Sequence, residues 1–98
     1  MRTIPIVEND FLYADNETLA LDSPHWFAWL MAKTTFYFQA PSGAFTARKQ
    51  VRRGLGYWYA SRRGARKSDT VYLGTSRQLT ARRLAEVAQR LAEQGRLP

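Results

Sequence analysis

Arg48, Gln50 and Arg52 stand at every second position, a spacing that puts three side chains on one side of a chain only if the segment is a strand. Tyr57, Tyr59, Ser61 and Arg63 repeat the spacing, and Thr70 and Tyr72 repeat it again. Guanidinium groups fork onto phosphate or guanine, an amide side chain can read adenine, and tyrosine offers both a hydroxyl and a ring face. The chemistry suited to this set is recognition of a polyanion rather than bond-breaking. A triad or an acid–base dyad needs a converging nucleophile, base and orienting group. With one histidine and no cysteine, the chain offers only scattered serines and carboxylates, and no enzyme is expected. Nothing marks a cofactor site: Gly54-Leu55-Gly56 lacks the downstream glycine and Lys-Ser/Thr of a phosphate-binding loop, and a strand rather than a helix follows it. Nothing marks a metal site either, since His25 has no cysteine or second histidine to join it. Asp15, Glu17 and Asp22 have no ligand spacing and suit a solvated turn.

Three antiparallel strands and a helix position these residues. Phe45–Arg53 alternates: Phe45, Ala47 and Val51 point one way, and Thr46, Arg48, Gln50 and Arg52 the other. Lys49 interrupts the apolar row and is expected to snorkel out from an edge strand. Arg53-Gly54-Leu55-Gly56 supplies a turn. Tyr57–Arg63 follows as an aromatic strand, with Trp58 and Ala60 assigned to the helix side and Tyr57, Tyr59, Ser61 and Arg63 outward. A one-residue slip exchanges the two sets. A polar loop, Gly64–Ser68, carries Arg66 and Lys67. In Asp69–Gly74, Val71 and Leu73 share one face, and Thr70 and Tyr72 the other. The spacing of Leu84, Val87, Ala88 and Leu91, extended by Ala81, predicts an amphipathic helix over Leu79–Gln94, closed by Gly95. Its outer face holds Arg82, Arg83, Glu86, Gln89, Arg90 and Glu93, with Glu86–Arg90 as an i,i+4 pair. A sheet this small needs the helix on one face, which leaves the Arg/Tyr face for water or a partner.

Upstream, Ile4, Ile6 and Phe11-Leu12-Tyr13 suggest one strand and Leu19-Ala20-Leu21 another, with a turn at Asp15-Asn16-Glu17. Ser23 as N-cap and Pro24 at the first helical position open a helix through Lys33 that is apolar nearly all round. At about ten residues it falls short of the roughly 20 needed to span a bilayer. It is expected to lie between the N-terminal strands and the basic sheet. The alternative is that Trp26 or Trp29 docks a partner domain or a second protomer. Thr34–Gln39 is a further strand, which hairpins through Ala40-Pro41-Ser42-Gly43-Ala44 onto Phe45–Arg53. The expected fold is α+β: an antiparallel sheet of three to four strands backed by a C-terminal helix, with an N-terminal strand and helix extension.

The 98 residues suit one domain, with residues 1–44 as an acidic extension and 45–94 as a basic sheet-plus-helix unit. Arg2 and Lys33 against Glu8, Asp10, Asp15, Glu17 and Asp22 give residues 1–44 a net −3, and 13 basic residues against Asp69, Glu86 and Glu93 give residues 45–98 a net +10. Eleven of those 13 are arginine, which favours bidentate contact over diffuse solubilising charge, although a genome rich in arginine codons gives the same composition. The absence of cysteine, of a signal-peptide pattern and of a long apolar run makes a cytoplasmic protein without a membrane segment the default.

Val71-Tyr72-Leu73-Gly74-Thr75, preceded by an Arg-rich sheet and followed by a helix, resembles the DNA-binding domain of plant ethylene-response factors. It also resembles the arm-site-binding domain of tyrosine recombinases. The wider set SPHWFAWL, TTFYFQAPSGAFTARK, GYWYASRR, VYLG and LTARRLAEVAQRL resembles an N-terminal module of large LuxR-type transcriptional regulators of Chloroflexota-like bacteria. The first two likenesses imply a sheet lying in the major groove with the helix behind it. By that pattern Tyr72 faces DNA, Val71 and Leu73 face the helix, and Arg48, Gln50 and Arg52 take groove-facing positions. The middle strand departs from the ethylene-response pattern of Arg and Glu, offering Ser61 and Arg63 instead, so base preference does not transfer. The expected function is double-stranded DNA binding in transcription regulation or recombination. The expected interface is Arg48, Gln50, Arg52, Arg53, Tyr57, Tyr59, Ser61, Arg63, Arg66, Lys67, Thr70 and Tyr72. Stacking of single-stranded DNA or RNA on the sheet aromatics is the first rival, and a protein-interaction module is the second.

Overall fold

The computed structural model describes residues 4–14, 17–41, 43–62 and 70–94. In chain order these form β1 (Ile6–Glu8), β2 (Phe11–Ala14), β3 (Glu17–Ala20), α1 (Pro24–Ala32), β4 (Thr35–Ala40), β5 (Gly43–Arg52), β6 (Leu55–Ser61), β7 (Val71–Thr75), a 3-10 turn at Ser76–Gln78, and α2 (Ala81–Gln94). The α+β class is as expected, but the sheet is larger: seven strands in the order β3-β2-β1-β4-β5-β6-β7. β1 runs parallel to β4, and the other neighbours are antiparallel.

The extra strands come from the acidic N-terminal segment, which extends the basic sheet edge to edge. The single strand expected across Ile4–Tyr13 is two, because Asn9 and Asp10 both take left-handed backbone (φ 53° and 69°). That is the geometry of a two-residue hairpin turn, and Asn and Asp tolerate it better than most residues. The same device joins β5 to β6: Arg53 and Gly54 turn the chain at φ 51° and 80°, and Arg52 pairs with Leu55. The turn is therefore shorter than expected, and Leu55 and Gly56 belong to β6.

Val7, Leu12, Phe36, Phe38, Phe45, Ala47, Trp58, Ala60 and Leu73 point to one side of the sheet, where both helices cover them. On α2, Leu84, Val87, Ala88 and Leu91 are buried, as their spacing requires. Gly43 lets α2 come close: a Cβ there would meet the Ala88 carbonyl oxygen at 2.8 Å. Ser23 caps α1 by accepting the Trp26 N–H at 3.2 Å, with Pro24 in the first turn. The helix is not sandwiched between two groups of strands, because those strands share one sheet; it lies on the same face as α2. Trp26 stacks on Trp29 and meets Phe36 edge-on, and its Nε1–H donates to the Leu79 carbonyl at 2.7 Å. Both tryptophans are buried, so α1 shows His25, Ala28, Met31 and Ala32 outward. The helix expected from Leu79 begins at Ala81, where Thr80 Oγ1 accepts the Arg83 N–H and Asp22 Oδ1 accepts the Ala81 N–H at 2.9 Å.

Three basic residues are committed to holding this layer together. Lys49 does not snorkel from an edge; β5 is interior, and Lys49 reaches the last turn of α1. Its Nζ donates to the carbonyls of Leu30 (2.8 Å) and Met31 (3.0 Å) and sits 5.5 Å from the centre of the Trp58 ring. Burial pulls its ammonium below the ordinary lysine range. A Cβ on Gly56 would meet the Lys49 stem at 2.6 Å, so that glycine makes the path. Arg62 donates to the Leu91 carbonyl at 2.9 Å. Arg83, expected on the solvated face of α2, reaches instead to β7, donating to the carbonyls of Leu73 (3.0 Å) and Tyr72 (2.9 Å). On the surface of α2 the ion pair is Arg82–Glu86 at 3.4 Å rather than Glu86–Arg90. Val51, expected inward, is 63% exposed because β5 runs past the helices at that end. Lys49→Met, which keeps the stem and removes the donors, is expected to lower stability by about 1–2 kcal/mol, read by chemical denaturation.

Candidate nucleic-acid interface

The face of the sheet opposite the helices carries no covering element among the described residues. The register of β5, β6 and β7 sets the expected side chains in rows across it. Arg48 stands opposite Tyr59, and Tyr59 opposite Tyr72; Gln50 stands opposite Tyr57, and Thr46 opposite Ser61. The middle strand is in the register assigned from its residues: Trp58 and Ala60 are buried under the helices, and Tyr57, Tyr59 and Ser61 lie half-buried on the open side. Arg48, Gln50 and Arg52 are exposed, and Tyr72 is 44% exposed. A bulge between β6 and β7, where Trp58 pairs with Gly74 and Tyr59 with Tyr72, lets Leu73 stay inward while Tyr72 stays outward.

The tyrosines form a cluster. The Tyr72 ring centre lies 5.4 Å from that of Tyr59 and 6.4 Å from that of Tyr57, with planes tilted by 55° and 40°. Beside them, Arg52 donates to Gln50 Oε1 at 3.0 Å. Arg53 is exposed in the hairpin turn, and Thr70 is exposed just before β7. Arg52, Arg53, Leu55 and the three tyrosines line an open groove of about 630 Å³. Arg63, Arg66 and Lys67 lie outside the described residues, as do the Gly64–Ser68 loop, Asp15, Asn16 and Gly95.

Sequence reasoning did not place Tyr37 and Leu55 on this side. Tyr37 lies between inward-facing Phe36 and Phe38 and pairs with Thr46, so the alternation of β4 was the signal for it. The far end of the open face has a different character. Ile6, Phe11 and Tyr13 are exposed there, with Glu8, Asp10 and Glu17 nearby. Among the described residues, no three His, Asp or Glu side chains converge as metal ligands, and no helix is long and apolar enough to cross a membrane. Asp22 serves the start of α2, where its carboxylate accepts the Ala81 N–H. Compared with known proteins, the chain matches no family model, no curated protein and no solved structure.

Proposed function

We propose that the domain binds double-stranded DNA through the β5–β6–β7 end of its open sheet face, in a transcriptional or recombination setting. The observation that carries this reading is the alignment of Arg48, Gln50 and Arg52 with Tyr57, Tyr59 and Tyr72 on one uncovered face, with the helices behind it. Neighbouring strands lie about 4.8 Å apart, so three of them span roughly 10 Å, which fits a major groove about 12 Å wide. Seven strands span roughly 29 Å and do not fit, so only this end of the sheet can enter. The acidic strands β1–β3 lie at the opposite end of the sheet, away from these basic side chains. The resemblance to ethylene-response and recombinase arm-binding domains points the same way.

The salt dependence of binding tests the reading. Lys49, Arg62 and Arg83 are engaged inside the fold, so fewer phosphates can be met than the charge count alone suggests. Arg48, Arg52 and Arg53, together with Arg63, Arg66 and Lys67, would neutralise about three to six, giving a log–log slope of roughly −3 to −5. Anisotropy titrations of duplex DNA across a salt series measure it, and a slope near zero counts against the proposal. Arg48→Ala and Arg52→Ala are each expected to weaken binding by about 1–3 kcal/mol where they make bidentate base contacts. Glu8→Lys and Glu17→Lys, at the other end of the sheet, should shift affinity only slightly. Equal losses from both sets would place the interface elsewhere. The exposed tyrosine cluster supports a second reading, stacking of single-stranded DNA or RNA, which titrations with single strands and duplex RNA separate from the first.

A further inference from the structure

The tyrosine-lined groove is a poor match for the edge of a paired base. A base pair shows the major groove its in-plane donors and acceptors, which arginine and glutamine read and ring faces do not. The rings of Tyr57 and Tyr59 are tilted by 40° and 55° to that of Tyr72 and all three line one groove, an aromatic lining suited to a flat π-system. A base offers its π-face only once it has left the stack. The groove's volume of about 630 Å³ lies within the roughly 300–1,000 Å³ typical of sites for compact organic ligands, and its lining is mainly aromatic with a few polar groups. Arg52 and Arg53 stand at its rim, at the β5–β6 turn, where a phosphate would complement their charge. Among the described residues β7 is the last strand of the sheet, so the groove lies beside a sheet edge.

From this we infer that the groove takes one unpaired nucleotide of a DNA strand, with the base on Tyr57, Tyr59 and Tyr72 and its phosphate on Arg52 and Arg53. The inference rests on the DNA-binding reading and deepens it: the preferred target is a duplex carrying an unstacked base, as at a bulge, a junction or a locally opened step. Arg48 and Gln50, in the neighbouring rows, contact the paired flank. The cost of unstacking is least where pairing is already broken, so such a site should be selected over an intact duplex.

Two labelled duplexes of the same sequence, one fully paired and one with a single unpaired thymidine, are titrated by anisotropy at one salt concentration. The unpaired duplex is expected to bind roughly 5- to 150-fold more tightly, the value of one base–aromatic stack. The preference should vanish in Tyr72→Leu, and in Tyr57→Leu as a second variant, each losing more affinity for the unpaired duplex than for the paired one. Thermal melts identify any variant that has lost its fold. Equal affinity of the wild type for both duplexes overturns the inference and leaves duplex binding standing. A preference that survives in both folded variants overturns the assignment to this groove. Failure to bind either duplex overturns the inference and the DNA-binding reading together.

Discussion

Trp58→Ala is expected to lower the unfolding free energy by about 3–5 kcal/mol, more than any other single truncation considered. Trp58 is fully buried on β6, an inner strand of the sheet, beneath the two helices. Its ring centre lies 5.3 Å from that of Phe36, which links it to the Trp26–Trp29 stack, and the Lys49 ammonium lies over it. Its Nε1–H donates at 3.0 Å to Ser76 Oγ, a buried polar atom in the turn that leads to α2. Truncation thus opens a cavity at the junction of α1, the sheet and the lead-in to α2, and removes the donor that Ser76 faces. Trp58→Phe separates the two effects: it keeps a ring and loses the hydrogen bond, so about 1–2 kcal/mol is expected. Urea titrations followed by circular dichroism give both values. A loss below about 1 kcal/mol for Trp58→Ala would place Trp58 outside the core.

The parts of the fold legible from sequence are those in which local pattern and tertiary demand coincide. β5 and β6 alternate for five residues or more, β7 does so from Val71 to Leu73, and one face of each is covered, so Phe45, Ala47, Trp58, Ala60 and Leu73 fall inward as their spacing dictates. α2 has a clean apolar stripe, and Ser23-Pro24 is a local start signal. The N-terminal strands hid because they are three or four residues long and break the polar-outside rule: Ile6, Phe11 and Tyr13 lie on the uncovered face. The turn between β1 and β2 uses Asn-Asp rather than a glycine, which weakens the signal further. Pairing of β1 with β4 is a contact across the whole of α1, and nothing local announces it.

The basic residues divide along the same line. Arg48 and Arg52 sit in an alternating strand and could be placed on a face from sequence. The carbonyl partners of Lys49, Arg62 and Arg83 could not be read there, because capping a distant carbonyl leaves no mark on the neighbouring residues. Arg83 has a second consequence. β7 is an edge strand, and unpaired edge carbonyls invite pairing with another chain. The guanidinium bonds the carbonyls of Tyr72 and Leu73 and so ties the strand that carries Tyr72 to α2.

Neighbouring substitutions on that strand should separate folding from binding. Leu73→Ala is expected to cost about 2–4 kcal/mol, because Leu73 is buried on the face covered by α2 beside Val71. Tyr72 is on the opposite side, 44% exposed, with Tyr57 and Tyr59 as its ring neighbours. Tyr72→Ala loses part of two aromatic contacts, each worth about 0.5–1.5 kcal/mol at most when buried, so its stability loss should be the smaller by a clear margin. Its effect on binding should run the other way: Tyr72→Ala is expected to weaken DNA binding while the protein stays folded. Leu73→Ala should bind with near-normal affinity wherever enough of it remains native. Melting curves and binding isotherms on the same two preparations give the four numbers required. The opposite pattern, an unfolded Tyr72→Ala and a stable Leu73→Ala that no longer binds, would put the interface on the helix side of the sheet. Loss of stability without any loss of affinity in Tyr72→Ala would leave the fold as described and remove the tyrosine cluster from the interface.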